Sequence, residues 1–287
     1  MIPLSRRVVF LCLGLASSAL ATAGDTPFVH ARFVPERKDD FAWENDLVAF
    51  RAYGPALKAG PEDSGIDCWL KRVHYPIIDN WYASGDYHVD HGEGLDPYHV
   101  GSSRGCGGIA LVMRDGTFKT SHPFTAWRII EAGPTRAIFE LDYRYDGTAI
   151  TETKRITIEP GSQLFHAESR FLENGKPRAF DVAIGITTHD GAAAVRFDSN
   201  AGWMACWEKF AKDGELGTGV ILPGATFKEI KSATKDASHV WAFTKTNAEG
   251  KVDWLAGFGW SKAGAIPSFE VWTDYLRKAA IRKRVNP

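Results

Sequence analysis

The chain has 287 residues, with 34 basic and 35 acidic side chains and a formal net charge of −1. Removing a leader that carries Arg6 and Arg7 takes that to −3, which excludes nucleic acid as the partner because phosphate binding needs a clear basic excess. Hydrophobic residues at 44% and charged residues at 24% are the proportions of a globular chain rather than a disordered one.

Residues 1–23 read as a secretory signal, with the folded part beginning at Gly24. A basic pair (Arg6, Arg7) precedes an apolar stretch from Val8 to Leu15, and small residues offer cleavage after Ala21 or Ala23. The apolar run is too short to span a ~30 Å hydrocarbon core. Ser5-Arg6-Arg7-Val8-Val9-Phe10-Leu11 also resembles a twin-arginine signal, so general secretion and twin-arginine export both stay open. Leu11 is too bulky to precede a lipidated Cys12. The expectation is a periplasmic or secreted protein without a membrane anchor.

Strand signals dominate from there on. Strands are predicted at 46–53, 108–113 and 125–131, and apolar and polar residues alternate over 136–145, where Ala137, Phe139, Leu141, Tyr143 and Tyr145 share a face. Asp146-Gly147 turns the chain into a strand at 150–158, and Pro160-Gly161 into one at 164–171. Asn174-Gly175 leads to another at 180–187. Further strands are predicted at 204–210, 239–246, 254–260 and 269–275. A helical pattern is visible only at 274–284, where the basic C-terminal cluster reads as a solvated helix. Without a repeat or a Pro/Gly-rich linker, residues 24–287 are expected to form one all-β domain, an antiparallel β-sandwich.

One stretch breaks this rhythm. Residues 77–108 are rich in Gly, His, Asp and Tyr and poor in aliphatics, and a loop of that length inside a domain is commonly functional. Tyr87 to His99 holds three histidines and three carboxylates. Three readings compete. His88, Asp90, His91 and His99 could ligate a divalent cation, although their spacing fits no established motif. Alternatively His88 or His91, with Tyr87 or Tyr98, could move protons beside a carboxylate neutralised by Arg104. The third reading makes them surface and capping residues. His189, at a strand end, joins the acid–base candidates. Asn45, Arg51 and Arg170 could bind a sugar acid, Arg by its bidentate fork. Trp81 represents the ten tryptophans, whose rings suit sugar stacking as well as a core. Cys68, Cys106 and Cys206 allow at most one disulfide, and Cys68–Cys106 or three buried thiols are equally consistent. No nucleophile elbow or phosphate loop is present, and no dinucleotide fingerprint, so no nucleotide cofactor is expected.

Three segments then carry a family resemblance: Glu36 through Asp46, Gly65-Ile66-Asp67-Cys68-Trp69-Leu70-Lys71-Arg72, and Tyr87-His88-Val89-Asp90-His91-Gly92-Glu93-Gly94 running to Gly107-Gly108. With Gly133-Pro134-Thr135-Arg136 and Glu152-Thr153-Lys154 they resemble the DUF4861 family over most of the chain. The resemblance implies an exported component of bacterial systems that degrade polysaccharides, often uronate-rich ones such as pectin or ulvan. It supplies no catalytic residues. The strand-rich half is also similar in pattern to the galactose-mutarotase-like supersandwich. Together these lead to an expected carbon–oxygen lyase or dehydratase acting by β-elimination on uronate-containing oligosaccharides. The alternatives are a sugar epimerase, a glycoside hydrolase, or a carbohydrate-binding protein without catalysis.

Overall fold

A computed structural model describes residues 27–285; the predicted signal peptide lies outside the described residues. In chain order come β1 (Val29–Val34), β2 (Asp40–Asn45), β3 (Ala49–Ala52), β4 (Ile66–Lys71), α1 (Ile78–Ser84), β5 (Gly94–Leu95), β6 (Cys106–Val112) and β7 (Phe118–Lys119). There follow β8 (Ala126–Ala132), β9 (Ala137–Arg144), β10 (Ile150–Ile158), β11 (Leu164–Glu173), β12 (Lys176–Pro177), β13 (Asp181–Thr187) and β14 (Ala194–Asp198). The chain ends with β15 (Trp203–Lys209), β16 (Glu215–Ile221), β17 (Thr226–Ile230), β18 (His239–Lys245), β19 (Lys251–Trp260) and α2 (Phe269–Val285).

These strands build two layers. One is a nine-stranded antiparallel sheet, β14-β15-β16-β19-β11-β10-β9-β8, with β12 hairpinned onto β11. Two five-stranded sheets, β1 to β5 and β17-β18-β13-β6-β7, form the other. A single parallel bridge between Ile66 and Gly105 joins them edge to edge. The inward-facing residues of both layers, among them Phe41, Trp43, Phe50, Phe139, Phe165 and Trp254, make one continuous core. This is the all-β antiparallel sandwich that the hairpin series predicts. Asn174 and Gly175 both take positive φ (51° and 73°), the two-residue turn that matches strand twist.

The strand predicted at 269–275 is overturned: those residues open helix α2. Its Trp272 and Leu276 lie against β16, where a Cβ on Gly217 or Gly219 would come within 2.6 Å of them. Two side-chain-free positions on one strand face thus give the helix its groove, and Trp272 Nε1 donates to Thr218 O at 3.1 Å. Among the described residues no helix is long and apolar enough to cross a membrane. Cys68, Cys106 and Cys206 are buried free thiols.

His239 on β18 is buried, and its Nε2 accepts the Arg104 amide at 3.0 Å. Burial lowers its pKa from 6.5 to about 4. The unfolded chain takes up this proton first, so the stability present above pH 6.5 is lost as the pH falls through 4, by about 3 kcal/mol. Urea midpoints of His239→Gln are therefore expected to be flatter than wild type between pH 6.5 and 4. Profiles of equal slope would show that other groups drive the acid limb.

Candidate active site

The outer face of the β1–β5 sheet carries charge where a solvent-facing or apolar face would be ordinary. Alternation points Asp40 and Glu44 of β2, Arg51 of β3, and Asp67 and Lys71 of β4 to this side, and all five are buried. They are buried because residues 77–96 fold back over them. Glu44 accepts the first amides of α1, from Ile77 at 2.9 Å and Ile78 at 3.0 Å, while pairing with Lys71 at 2.8 Å. Trp81, Tyr82 and Tyr87 then pack on Trp69, with ring centroids 5.4, 4.8 and 4.8 Å away. Finally β5 pairs with the end of β4, and the Asp96 amide donates to Tyr87 O at 2.8 Å.

That return path brings Asp96 over Arg51. Arg51 and Asp67 are cross-strand neighbours, and the same Arg51 Nη2 donates to Asp67 and, at 3.0 Å, to Asp96. Its Nη1 donates to the Tyr87 hydroxyl at 3.4 Å. The guanidinium lies 5.2 Å from both the Tyr53 and Trp69 ring centres. Burial works against its charge, but Asp67 and Asp96 outweigh that and hold it firmly protonated. Two buried carboxyls face this one cation. Burial pushes Asp67 up, and burial together with the Asp67 charge pushes Asp96 well above the usual carboxylate range. Asp96 is thereby biased toward its protonated, hydrogen-bond-donating form. Nearby Asp40 is pushed up to about 6, mainly by burial.

A cleft of about 320 Å³ opens above this knot, lined by Arg37, Arg51, Tyr53, His88, Asp96 and the 97–101 loop. Arg37 sits at its rim with Nη1 3.1 Å from Asp40. His88 Nδ1 lies 2.8 Å from the Asp96 carbonyl oxygen. A carbonyl only accepts, so Nδ1 carries a proton, and in the neutral ring Nε2 is the nitrogen that holds the lone pair. The His88 side chain is 64% exposed, which makes Nε2 reachable from solvent. Beyond His99 lies a second cleft of about 270 Å³ that includes His189 and Glu208. The His189 ring is bonded to Glu208, and its Nε2 donates to His99 O at 2.7 Å.

The remaining sequence candidates fall elsewhere. Arg104 is buried beside the interior, donating to Ser64 Oγ at 2.9 Å and to Ser102 O at 3.0 Å, so the guanidinium under the cleft is Arg51. The Tyr98 ring lines the cleft, but its hydroxyl is buried without a partner, facing the three thiols. Tyr87 lies beneath the knot, bonded to Arg51. Asn45 is a structural clamp: its amide donates to Glu159 O and Ser162 O at 2.7 and 2.8 Å, and its oxygen accepts from Leu47 and Val48. Trp81 is buried, with Nε1 on Glu93 at 2.9 Å, rather than forming an open stacking platform. Arg170 is exposed on the outer face of the nine-stranded sheet. The proposed metal set does not assemble. Asp90 pairs with Arg72, His91 with Asp86 at 3.0 Å, and His99 with Asp236 at 3.0 Å. Among the described residues no group of three or more His, Cys, Asp or Glu is arranged to hold a metal ion. Arg37, Asp40, Tyr53 and Asp67 were not singled out by residue type. Three of them, however, lie in the segments that carry the family resemblance.

An all-β sandwich with a cleft over a buried cluster of charges, closed by a folded-back insert, is thus the class of protein defined here. The chain belongs to the DUF4861 family, a domain of unknown function, whose model matches residues 17–285. It is 39% identical over 272 residues to uncharacterized protein P7 of Formosa agariphila, covering 88% of this chain and 67% of that one. Among solved structures it is similar to a heparan sulfate lyase HepC mutant from Pedobacter heparinus. The TM-score is 0.43 at 9% identity, over 80% of this chain and 36% of that one. It is also similar to the GH36 alpha-galactosidase AgaB from Geobacillus stearothermophilus, with a TM-score of 0.40 at 8% identity over 82% and 42% of the two chains. The chain spans about two fifths of the length of those enzymes, and likeness at this level says nothing of its reaction.

Removing one partner of a buried charge group leaves the others uncompensated. Arg51→Met is expected to lower stability by about 3–5 kcal/mol in urea melts at pH 7. Adding Asp67→Asn and Asp96→Asn should recover most of that loss. A triple variant as unstable as the single one would mean that Arg51 acts through packing alone.

Proposed function

We propose that this is an exported carbohydrate-active enzyme that performs β-elimination on uronate-containing oligosaccharides in the 320 Å³ cleft. The observation that carries the reading is the pairing of an exposed His88, whose Nδ1 is committed to a carbonyl so that Nε2 is the lone-pair nitrogen of its neutral tautomer, with a buried carboxyl, Asp96, biased toward protonation. They are adjacent, with His88 Nδ1 3.7 Å from Asp96 Oδ2. A solvent-facing imidazole nitrogen beside a carboxyl that burial biases toward protonation is what a proton-transfer site needs. The family resemblance supports sugars as substrates, and the Arg6-Arg7 leader supports export.

In this mechanism Arg37 neutralises the substrate carboxylate, which makes the adjacent C5 proton acidic enough to remove. His88 Nε2 takes that proton. The C5–H electron pair forms the C4–C5 double bond, the C4–O bond breaks, and Asp96 protonates the departing oxygen. Tyr53, buried at the cleft wall with burial raising its pKa, stays a neutral hydrogen-bond donor to the sugar. The charged knot below needs no rearrangement during turnover, because Arg51 already holds Asp96 in place.

Incubation with uronate oligosaccharides is expected to generate the ultraviolet absorbance of a new C4–C5 double bond. His88→Ala should slow it by about 10²–10⁴-fold with an unchanged urea midpoint. An NMR product profile that shows inverted stereocentres or simple hydrolysis, with no unsaturated sugar, would replace elimination with epimerisation or glycoside hydrolysis.

A further inference from the structure

The second cleft shares a wall with the first, and that wall is rigid. His99 lines both, and it is tied from the far side twice, through its carbonyl to His189 and through its ring to Asp236. Gly101 makes the closure tight: its φ is +51°, and a Cβ there would lie 2.3 Å from Asp236 Oδ2 and 2.9 Å from His99 Nε2. His189 and Asp190 both hold left-handed backbone, at φ 44° and 57°, a strained arrangement that presents consecutive side chains at the cleft.

The second cleft's chemistry differs from the first. Phe210 is half-buried at its edge, an aromatic surface next to the His189 ring, whose centroid is 6.2 Å away. Both His189 nitrogens face acceptors, Glu208 and the His99 carbonyl, so the ring carries two protons and a positive charge. With Lys235 that makes two cations against three carboxylates, Asp190, Glu208 and Asp236. An excess of carboxylate repels a second anion, while carboxylates beside an aromatic face suit the hydroxyls and C–H face of a neutral sugar.

From this we infer that the two clefts are adjacent subsites of one groove, and that the substrate is a copolymer in which a neutral sugar neighbours the uronate. The inference rests on the proposed function only for placing the uronate in the first cleft. A polymer made solely of uronates, or one whose neighbouring ring is sulfated, would put an anion among Asp190, Glu208 and Asp236.

Binding separates this from the chemistry. The mature His88→Ala protein is applied to an array of uronate-containing oligosaccharides whose neighbouring ring is neutral, uronic or sulfated. Titration calorimetry of the tightest binder against its uronate monosaccharide follows. A neutral neighbour among the tightest ligands, with disaccharide bound more tightly than monosaccharide, is expected. Phe210→Ala should then weaken the disaccharide by about three- to tenfold and leave the monosaccharide unchanged. Preference for an anionic neighbour, equal affinity for mono- and disaccharide, or no binding at all would overturn the two-subsite reading. If wild-type protein binds the same neutral-neighbour ligands but forms no double bond, only the elimination chemistry falls.

Discussion

Arg51 is the constraint from which the rest of the site follows. Its strand neighbour Asp67 balances one charge at the price of burying two ions, a combination that gains little unless further polar groups complete it. Completion comes from outside the sheet, as Asp96 and the Tyr87 hydroxyl arrive on the returning insert. Docking of that segment and completion of the hydrogen bonds around Arg51 are therefore one event. Once Asp96 is fixed, its carbonyl fixes the His88 tautomer, and its carboxyl is left in surroundings that favour the proton.

A second ion pair anchors the other end of the insert. Glu44 answers Lys71 and also receives the opening amides of α1, which a seven-residue helix could not leave unmet in a buried position. The two buried cations of one sheet face thus hold the beginning and the end of the same excursion. Arg104 shows the contrast: it is as deeply buried as Arg51, but its partners are a serine hydroxyl, a carbonyl and a more distant Asp63, and it supports the joint between the sheets.

The strands most legible in the sequence are those with one face in the core and one toward water. Residues 150–158 match β10 at both ends because Ile150, Ile156 and Ile158 share one face and the Asp146-Gly147 and Pro160-Gly161 turns bound the strand. By contrast β2 and β4 are buried on both faces, and their outward charges look like solvent-facing residues until the insert covers them. The glycines that seat α2 weaken β16 as a strand signal, and Val271, Trp272 and Thr273 favour extended structure locally. Tertiary packing of Trp272 and Leu276 overrides that preference. For the site, composition pointed to residues 77–108 and offered both Arg104 and Arg51, of which Arg51 is the one beneath the cleft. Arg104 is near His99 in sequence, whereas Arg51 meets Asp96 only through strand register and the insert's path, which no local spacing encodes.

The segment that carries His88, Asp96 and His99 leaves the frame after Lys71 and re-enters it at Gly105, beside Ile66, and on the way its Tyr87, Leu95 and Tyr98 join the buried core, while residues 88–92 stay largely exposed. Lengthening such an excursion costs only about 0.6 kcal/mol per doubling in closure entropy. The exposed 88–92 turn can therefore change in length or side chain while Tyr87 and Asp96, on either side of it, keep their hold on Arg51.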